Sequence, residues 1–186
     1  IMSKYIRSET FFKGYDQSKL FLQTWSHSDA VGTILFSHGQ AEHSDCYHRL
    51  INGLDKIKDT PKWNFVGWDM RGHGQSEGLR GYAKDFDEYV LDYDCFYRES
   101  LKIDFVQNKK IVLLGHSMGG LVQTCALSSK KYSTINPQVV GQILSSPLFG
   151  VAVTVPQWKD MGANFINQLL PKLTMGNELS NEMLTR

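Results

Sequence analysis

The 186-residue sequence predicts an α/β protein, with a mostly parallel β-sheet covered by helices on both faces. Short apolar runs typical of buried strands alternate along the chain with longer segments whose apolar residues recur every three or four positions, as in amphipathic helices. The composition is that of an ordinary globular protein, with 41% hydrophobic and 21% charged residues. A chain of this length can bury a substantial core in one domain.

The first elements are two polar-apolar alternating runs at residues 5–13 and 19–26, joined by turn-forming residues. They predict an antiparallel hairpin at the edge of the sheet. The apolar run 31–36 predicts a buried strand that enters a His-Gly loop, and residues 45–58 predict a helix. The apolar stripe expected on that helix consists of Tyr47, Leu50, Ile51, Leu54 and Ile57.

The middle of the chain repeats this alternation. Residues 63–68 predict a strand that runs into the glycine-rich stretch 69–78. A long amphipathic helix is expected over residues 86–106, and the core strand 111–114 is followed by a helix over 117–130. The apolar face of the long helix consists of Phe86, Tyr89, Val90, Tyr93, Phe96, Tyr97 and Leu101.

The character of the sequence changes after a sixth strand, expected at residues 139–145. Residues 157–170 predict an amphipathic helix that is stopped by a proline. We therefore expect residues 1–147 to be the N-terminal part of a core domain and residues 148–186 to begin a helical cap. The apolar face of the cap helix consists of Trp158, Met161, Phe165, Ile166 and Leu169.

Composition also limits the partners and the compartment. The formal net charge is +1 with acids and bases interspersed, so no nucleic-acid partner is expected. Cys46, Cys95 and Cys125 lack metal-ligand spacing and predict reduced packing residues, which favours a reducing compartment. No signal peptide is expected, since no apolar stretch follows a basic start, and no run approaches the ~20 apolar residues that a membrane span needs. A cytoplasmic protein is expected, with peripheral membrane contact through the cap as a further option, and without a cofactor or metal.

A Gly-x-Ser-x-Gly motif occupies residues 115–119, directly after a predicted core strand and at the start of a predicted helix. A serine on such a sharp turn is held in a strained backbone conformation that raises its hydroxyl above the sheet. Gly115 and Gly119 are required because side chains there would collide across the turn. The helix N-terminus favours developing negative charge. The motif predicts that Ser117 is a catalytic nucleophile, with an ordinary tight turn as the alternative.

Acyl transfer also needs two backbone N–H donors directed at the oxyanion of the tetrahedral intermediate. One donor is expected from Met118, the residue after the nucleophile. The other is expected from the loop after the strand 31–36, where His-Gly-Gln at residues 38–40 makes Gln40 the candidate. A plain strand-terminating turn is the alternative interpretation of this loop.

The glycine-rich residues 72–76 suggest either a phosphate-binding loop or a catalytic histidine. The glycines do not open a helix in the register of a nucleotide-binding motif, and His73 precedes the nucleophile on a different loop. A structural loop near the mouth of the site is therefore expected. His27, His43 and His48 lack metal-ligand spacing and predict surface or packing roles.

Three motifs stand in order along the chain: His-Gly-Gln-Ala-Glu-His-Ser at 38–44, Asp-Met-Arg-Gly-His-Gly-Gln-Ser-Glu-Gly at 69–78, and Leu-Gly-His-Ser-Met-Gly-Gly at 114–120. Together they resemble the monoacylglycerol lipase and lysophospholipase family of α/β-hydrolases, over nearly the whole chain. The resemblance implies an α/β-hydrolase fold and a serine esterase. Where monoglyceride lipases usually have an arginine after the oxyanion loop this chain has Cys46, which leaves a lysophospholipid or another short ester open as substrate.

The catalytic acid and histidine are absent from this chain. In this fold the triad follows the order serine, acid, histidine. All six histidines lie at or before His116, and the acidic residues after Ser117 are Asp160, Glu178 and Glu182, all in the predicted cap. The fold would continue from the cap into two more strand–helix units of roughly 30 residues each, and ~100 further residues with the C-terminal strands are expected in the intact protein. The chain would then be a truncated or proteolysed product, or the remainder would be a separate chain, with a naturally short pseudo-enzyme as the alternative.

The expected function is hydrolysis of a carboxylic ester of a single-chain lipid, a lysophospholipid or a monoacylglycerol, through an acyl-Ser117 intermediate in the intact protein. The 186-residue chain alone is expected to be inactive. A thioesterase or a peptidase on the same scaffold is the alternative among enzymes. A non-catalytic lipid- or protein-binding domain is the alternative from another class.

Overall fold

Six strands form one mixed sheet in the computed structural model, which describes residues 5–107, 109–129 and 138–150. In chain order they are β1 (Ile6–Lys13), β2 (Lys19–Ser26), β3 (Ala30–Ser37), β4 (Lys62–Trp68), β5 (Lys110–His116) and β6 (Val139–Ser145). Their order across the sheet is β1-β2-β4-β3-β5-β6. β1 and β2 form an antiparallel hairpin at one edge, β2 is antiparallel to β4, and the other pairs are parallel. The predicted edge hairpin and mostly parallel sheet are confirmed.

Helices cover both faces of this sheet. They are a 3₁₀ turn (Ser44–Tyr47), α1 (His48–Lys56), α2 (Phe86–Ser100) and α3 (Met118–Ser128). The neighbouring residues Leu35 and Phe36 of β3 point to opposite faces, as alternation along a strand requires. Leu35 belongs to the large apolar cluster under α2 and α3, and Phe36 to a smaller cluster that includes Ile51 of α1.

The predicted helix over residues 45–58 is wrong in its first turn. That turn is a 3₁₀ turn because both the backbone N–H and the Nδ1 of His48 bind the carbonyl oxygen of Asp45. The predicted stripe is wrong in part. Ile51 packs as a fully buried residue with Trp25, Phe36 and Phe65, and Tyr47 stacks on Phe36 with ring centroids 4.7 Å apart, but the other three members are exposed. Leu50, Leu54 and Ile57 are 46%, 37% and 49% exposed, because this short helix meets the sheet through a single row of side chains.

The long helix α2 ends at Ser100, six residues before the predicted end. The Ser100 hydroxyl donates to the carbonyl oxygen of Phe96, and the chain continues in tight turns such as the bond from Val106 N–H to Ile103 O. Asp85 caps the helix start by accepting a hydrogen bond from the N–H of Asp87 at 2.8 Å. The predicted apolar face is confirmed. Its buried members are Tyr89, Val90, Tyr93, Phe96 and Tyr97.

β6 matches its predicted range and lies last in the sheet order, next to β5. Val140 and Ile143 are 56% and 52% exposed. The predicted cap helix over 157–170, with the rest of the predicted cap beyond Gly150, lies outside the described residues, so the boundary at residue 147 stays a prediction. No helix in the parts of the chain that the structure describes is long and apolar enough to cross a bilayer.

All three cysteines are free. Cys95 and Cys125 are half-buried against the large apolar cluster, as expected of packing residues. Cys46 is exposed, contrary to the expectation that it packs, and Ser44 is the residue of the 3₁₀ turn that is buried instead.

Candidate active site

Ser117 connects β5 to α3 through a strained backbone. Its φ of 48° and ψ of −119° lie in a region that residues with side chains rarely adopt. A Cβ added to Gly115 would lie 2.5 Å from the Cα of Gly120. A Cβ added to Gly119 would lie 2.4 Å from the carbonyl oxygens of Ser37 and His38. The structure thus has the strained turn and the steric need for both glycines that the motif predicts, while the catalytic role of Ser117 stays a prediction.

The backbone of Ser117 is held from two sides by the segment at the end of β6. Its N–H donates to the carbonyl oxygen of Ser145 at 3.0 Å. Its own carbonyl oxygen accepts the N–H of Leu148 at 3.1 Å, in addition to bonds from the first turn of α3. Between these partners, Ser146 has a positive φ of 45°. The strained nucleophile turn is therefore fixed partly by a second strained turn.

The structure brings together the two segments that carry the predicted oxyanion donors. A Cβ added to Gly39 would lie 3.2 Å from the Cβ of Ser117, so the loop after β3 packs directly against the nucleophile turn. Met118 is the first residue of α3 and is 7% exposed. Within residues 5–107, 109–129 and 138–150, neither the amide of Gln40 nor that of Met118 donates a hydrogen bond. Both N–H groups are therefore available to an acceptor, and their role as oxyanion donors stays a prediction.

His38, which the sequence interpretation did not single out, holds the loop that carries Gln40 through the hydrogen bonds of its ring. Its fully buried ring accepts the N–H of Met70 at Nε2 (2.9 Å) and donates from Nδ1 to the carbonyl oxygen of Gly39 (2.7 Å). Burial, together with the neighbouring ring of His73, lowers the pKa of His38 to about 4. The imidazole is neutral at pH 7 and acts as a rigid link between the ends of β3 and β4. Its position directly after a core strand is the signal that could have identified it.

The glycine-rich loop after β4 is held by buried polar groups, in agreement with the predicted structural role. His73 is 4% exposed, its Nδ1 lies 2.9 Å from the carbonyl oxygen of Arg71, and burial lowers its pKa. The second group is Asp69, which sequence reasoning missed. Its Oδ1 accepts the N–H and the hydroxyl of Ser44, and its Oδ2 accepts the N–H of Gln75 at 2.8 Å.

A general base for Ser117 is not found among the six histidines, all of which lie in the described ranges. No histidine hydrogen-bonds the Ser117 hydroxyl in these ranges. The nearest along the chain, His116, directs Nδ1 at the carbonyl oxygen of Ser145 (3.0 Å). The same ranges contain no group of three or more histidine, cysteine or acidic residues placed to hold a metal ion.

The sequence matches hydrolases both among protein families and among known proteins. A family model described as "Serine aminopeptidase, S33", of the hydrolase type, matches residues 28–186. The chain is 31% identical to the phospholipase YtpA of Bacillus subtilis over 88% of its own length and 58% of that protein. It is 30% identical to the human monoglyceride lipase over 92% of its own length and 53% of that protein. The chain thus spans little more than half the length of these relatives.

Solved structures share the fold. A soluble variant of the monoglyceride lipase of Saccharomyces cerevisiae, in complex with a substrate analogue, matches with a TM-score of 0.67 and 20% identity, over 92% of this chain and 55% of that one. A thermostable carboxyl esterase of Bacillus coagulans matches with a TM-score of 0.61 and 17% identity, over 96% of this chain and 54% of that one. The fold and the family resemblance predicted from the three motifs are both confirmed.

Proposed function

Because this chain belongs to the α/β-hydrolase family described as serine aminopeptidase, S33, with lipases and esterases among its relatives, we propose that the intact protein hydrolyses a carboxylic ester of a single-chain lipid. The observation that carries the proposal is the strained Ser117, packed against a loop that offers the amide of Gln40. The substrate class, a lysophospholipid or a monoacylglycerol, is supported by the relatives named phospholipase and monoglyceride lipase.

The reaction proceeds in two acyl-transfer steps. The oxygen of Ser117 attacks the ester carbonyl carbon, its proton passes to a base, and negative charge develops on the carbonyl oxygen. The N–H groups of Gln40 and Met118 donate to that oxygen, and the N-terminus of α3 adds its dipole. The alcohol leaves with the proton held by the base. Water then attacks the acyl-Ser117 carbonyl, which frees the fatty acid and restores the hydroxyl.

We further propose that the base and the acid come from residues beyond these 186. The triad order of this fold puts them after the serine, where this sequence has no histidine. Mass spectrometry of the protein from its native source measures the length of the intact chain. The 186-residue chain is expected to show almost no turnover of p-nitrophenyl esters, because an unassisted serine hydroxyl is a weak nucleophile at pH 7. Rapid turnover by this chain that Ser117→Ala abolishes would contradict this part of the proposal.

The experiment that tests the function measures hydrolysis of lysophosphatidylcholine and of 1-monooleoylglycerol by the intact protein, with Ser117→Ala as control. Hydrolysis of either lipid, lost in the variant, supports the proposal. Labelling of Ser117 by a fluorophosphonate probe distinguishes an enzyme from a non-catalytic binding domain, which would not be labelled. A thioesterase would prefer acyl-coenzyme A in the same assay.

Peptide hydrolysis is a second candidate, because the description of the matching family names a serine aminopeptidase. An amide demands more of the general acid than an ester does, since the leaving amine must be protonated. Hydrolysis of aminoacyl p-nitroanilides at rates above those of the two lipids would favour this candidate over the lipase.

We also propose that residues 157–170 bring the protein to lipid surfaces. The support is the sequence pattern alone, with Trp158 and Phe165 on an apolar face flanked by few charges. Replacing both by serine in the intact protein should reduce binding to phosphatidylcholine vesicles and hydrolysis of long-chain esters, with short-chain activity preserved. Ile6→Ser, at a 73% exposed position of β1, is the control. Equal loss on long- and short-chain esters would contradict the proposal.

A further inference from the structure

Glu42 closes the loop that carries the amide of Gln40. Its carboxylate Oε2 accepts the N–H of Gly39 at 2.9 Å. Its own backbone N–H donates to the carbonyl oxygen of Gly39 at 3.3 Å. One residue thus binds both polar groups of Gly39, in the same reciprocal manner as a capping box at a helix start. The result is a closed four-residue turn over residues 39–42.

Ala41, in this turn, has a backbone conformation that is unfavourable for alanine. Ala41 has a φ of 61°, in the left-handed region where a Cβ is unfavourable by roughly 1–2 kcal/mol. With Gln40 and Ala41 at its central positions, the turn has the positive φ at its third residue that is typical of a type II turn. Such a conformation persists only when its surroundings hold it. The two bonds from Glu42 to Gly39 are what hold the ends of this turn together.

The position of the turn is also tightly set against the nucleophile. A Cβ added to Gly39 would lie 3.0 Å from Cδ2 of His116, 3.2 Å from Cβ of Ser117 and 3.3 Å from Oε2 of Glu42. The carboxylate of Glu42 further accepts the hydroxyl of Tyr47 at 3.4 Å, and its Oε1 lies 3.9 Å from Nε2 of His116. Glu42 therefore contacts the oxyanion loop, the 3₁₀ turn and the residue before the nucleophile.

We propose that Glu42 is a positioning residue for the oxyanion hole. It locks the turn over residues 39–42 against the Ser117 turn, so that the N–H of Gln40 is directed at the developing oxyanion. Glu42 acts through the N–H of Gly39 and not on the substrate. The inference rests on the proposed function, because it requires that Ser117 forms a tetrahedral intermediate.

The test compares Glu42→Ala and Glu42→Gln in the intact protein, with a soluble short-chain ester. Losing one oxyanion donor costs roughly 10²–10³ in kcat in the serine protease subtilisin, so a displaced donor in Glu42→Ala should lower kcat by about 30-fold, with KM nearly unchanged. Glu42→Gln should stay within about threefold of the native kcat, because its amide oxygen still accepts the N–H of Gly39. The rate of fluorophosphonate labelling should follow kcat in both variants.

Glu88→Ala is the matched control. Glu88 also accepts a tyrosine hydroxyl, from Tyr15 at 2.7 Å, and a backbone N–H, from Lys84 at 3.0 Å, and it pairs with Arg71 at 3.4 Å. These bonds do not involve residues 39–42 or Ser117. This variant should lower the melting temperature and leave kcat unchanged. If Glu42→Ala does not fold, Glu42→Asp replaces it, since the side chain is one methylene shorter and its carboxylate is drawn back from the N–H of Gly39, so a loss of kcat in the same direction is expected.

Three results would overturn the inference: an unchanged kcat in Glu42→Ala, a Glu42→Gln variant as slow as Glu42→Ala, or a change in KM alone. The second result would show that the charge near His116 matters and that the hydrogen bond to Gly39 does not. Failure of the proposed function is distinguishable, because either the native protein would then hydrolyse no ester, or the Ser117→Ala variant would keep the activity, whatever substitution stands at position 42.

Discussion

The backbone N–H of Met70 donates to Nε2 of His38 at 2.9 Å, which joins the ends of two neighbouring parallel strands through one side chain. Since Nε2 accepts a hydrogen bond, the imidazole proton is on Nδ1, where it is donated to the carbonyl oxygen of Gly39. Protonating the ring would replace the acceptor at Nε2 by a donor that faces the N–H of Met70. The loop that carries Gln40 therefore depends on a neutral histidine.

This relationship predicts how stability depends on pH. The pKa of His38 in the folded protein, about 4, is below the ~6.5 of an unfolded chain, so the unfolded state binds more protons between these values. The stabilisation is full above about pH 6.5 and is lost as the pH falls towards 4, by up to about 3 kcal/mol. The lowered pKa of His73 acts in the same direction.

Urea unfolding between about pH 4 and pH 8 measures this effect as the free energy of unfolding. His38→Gln should be less stable than the native protein at pH 7. Its stability should fall less steeply on acidification, because one titrating group is gone. Parallel pH profiles for the two proteins would contradict the assignment of the low pKa to His38.

A second prediction separates strain from chemistry at Ser117. Both Ser117→Ala and Ser117→Gly should abolish ester hydrolysis in the intact protein, by about 10⁶ in kcat if the loss matches that of the serine nucleophile in subtilisin. Ser117→Gly should unfold with a free energy about 1 kcal/mol higher than Ser117→Ala, because glycine adopts a positive φ without strain. Activity within tenfold of the native protein in either variant would refute the nucleophile. Equal stability would refute the strain.

The third prediction concerns Gly119, the first glycine after Ser117. A Cβ added to Gly119 would lie 2.4 Å from the carbonyl oxygens of Ser37 and His38. Neither oxygen can move without shifting β3. Gly119→Ala should lower the free energy of unfolding by about 3 kcal/mol. The control is Gly53→Ala, in α1, where an added Cβ has no neighbour within 4 Å and helix propensity should raise stability by about 1 kcal/mol. Thermal unfolding of both variants measures the contrast, and a tolerated Gly119→Ala would show that the turn is loose.

The fourth prediction concerns a buried ion pair that fastens the glycine-rich loop to α2. Arg71 makes two hydrogen bonds to the fully buried carboxylate of Asp92, at 2.6 and 3.0 Å. Arg71→Met leaves that carboxylate without its partner and should lower the free energy of unfolding by about 3–5 kcal/mol.

The control for this pair is Arg98→Met, which breaks the bond from an exposed arginine to Asp94 along the same helix. Exposed pairs of this kind contribute roughly 0.3–0.5 kcal/mol, so its melting temperature should barely change. Chemical denaturation of both variants measures the loss in the free energy of unfolding that each substitution causes. Similar losses in the two would mean that burial adds nothing to the bond between Arg71 and Asp92.

Local patterns in the sequence predicted the elements that form without distant partners. The apolar run before Ser117 and the glycines around it predict a strand, a sharp turn and a helix, and the structure has each of them. The periodic face of α2 predicted its buried residues, since five aromatic and aliphatic side chains recur at helical spacing. The end of α2 at Ser100 was missed because apolar periodicity continues to Leu101 and nothing local marks the stop.

Sequence patterns did not predict the polar contacts that shape the site. Asp69 and Ser44 are 25 positions apart, and His38 and Met70 are 32 positions apart, so their bonds exist only once β3 and β4 are paired. Leu50 and Leu54 also show that local spacing does not predict distant contacts, because both are exposed. Their spacing fits an amphipathic helix, but which row of α1 meets the sheet depends on how the preceding 3₁₀ turn is tied to Asp69.

The two bonds from Ser117 to Ser145 and Leu148 have a mechanical consequence. The serine peptide is fastened on one side to the last residue of β6 and on the other to the residue after Pro147. A displacement of this junction must either break one of the bonds or carry the serine with it. A single hydrogen bond joins Leu148 to Ser117, so a force applied to the chain after β6 is transmitted to the serine through that bond.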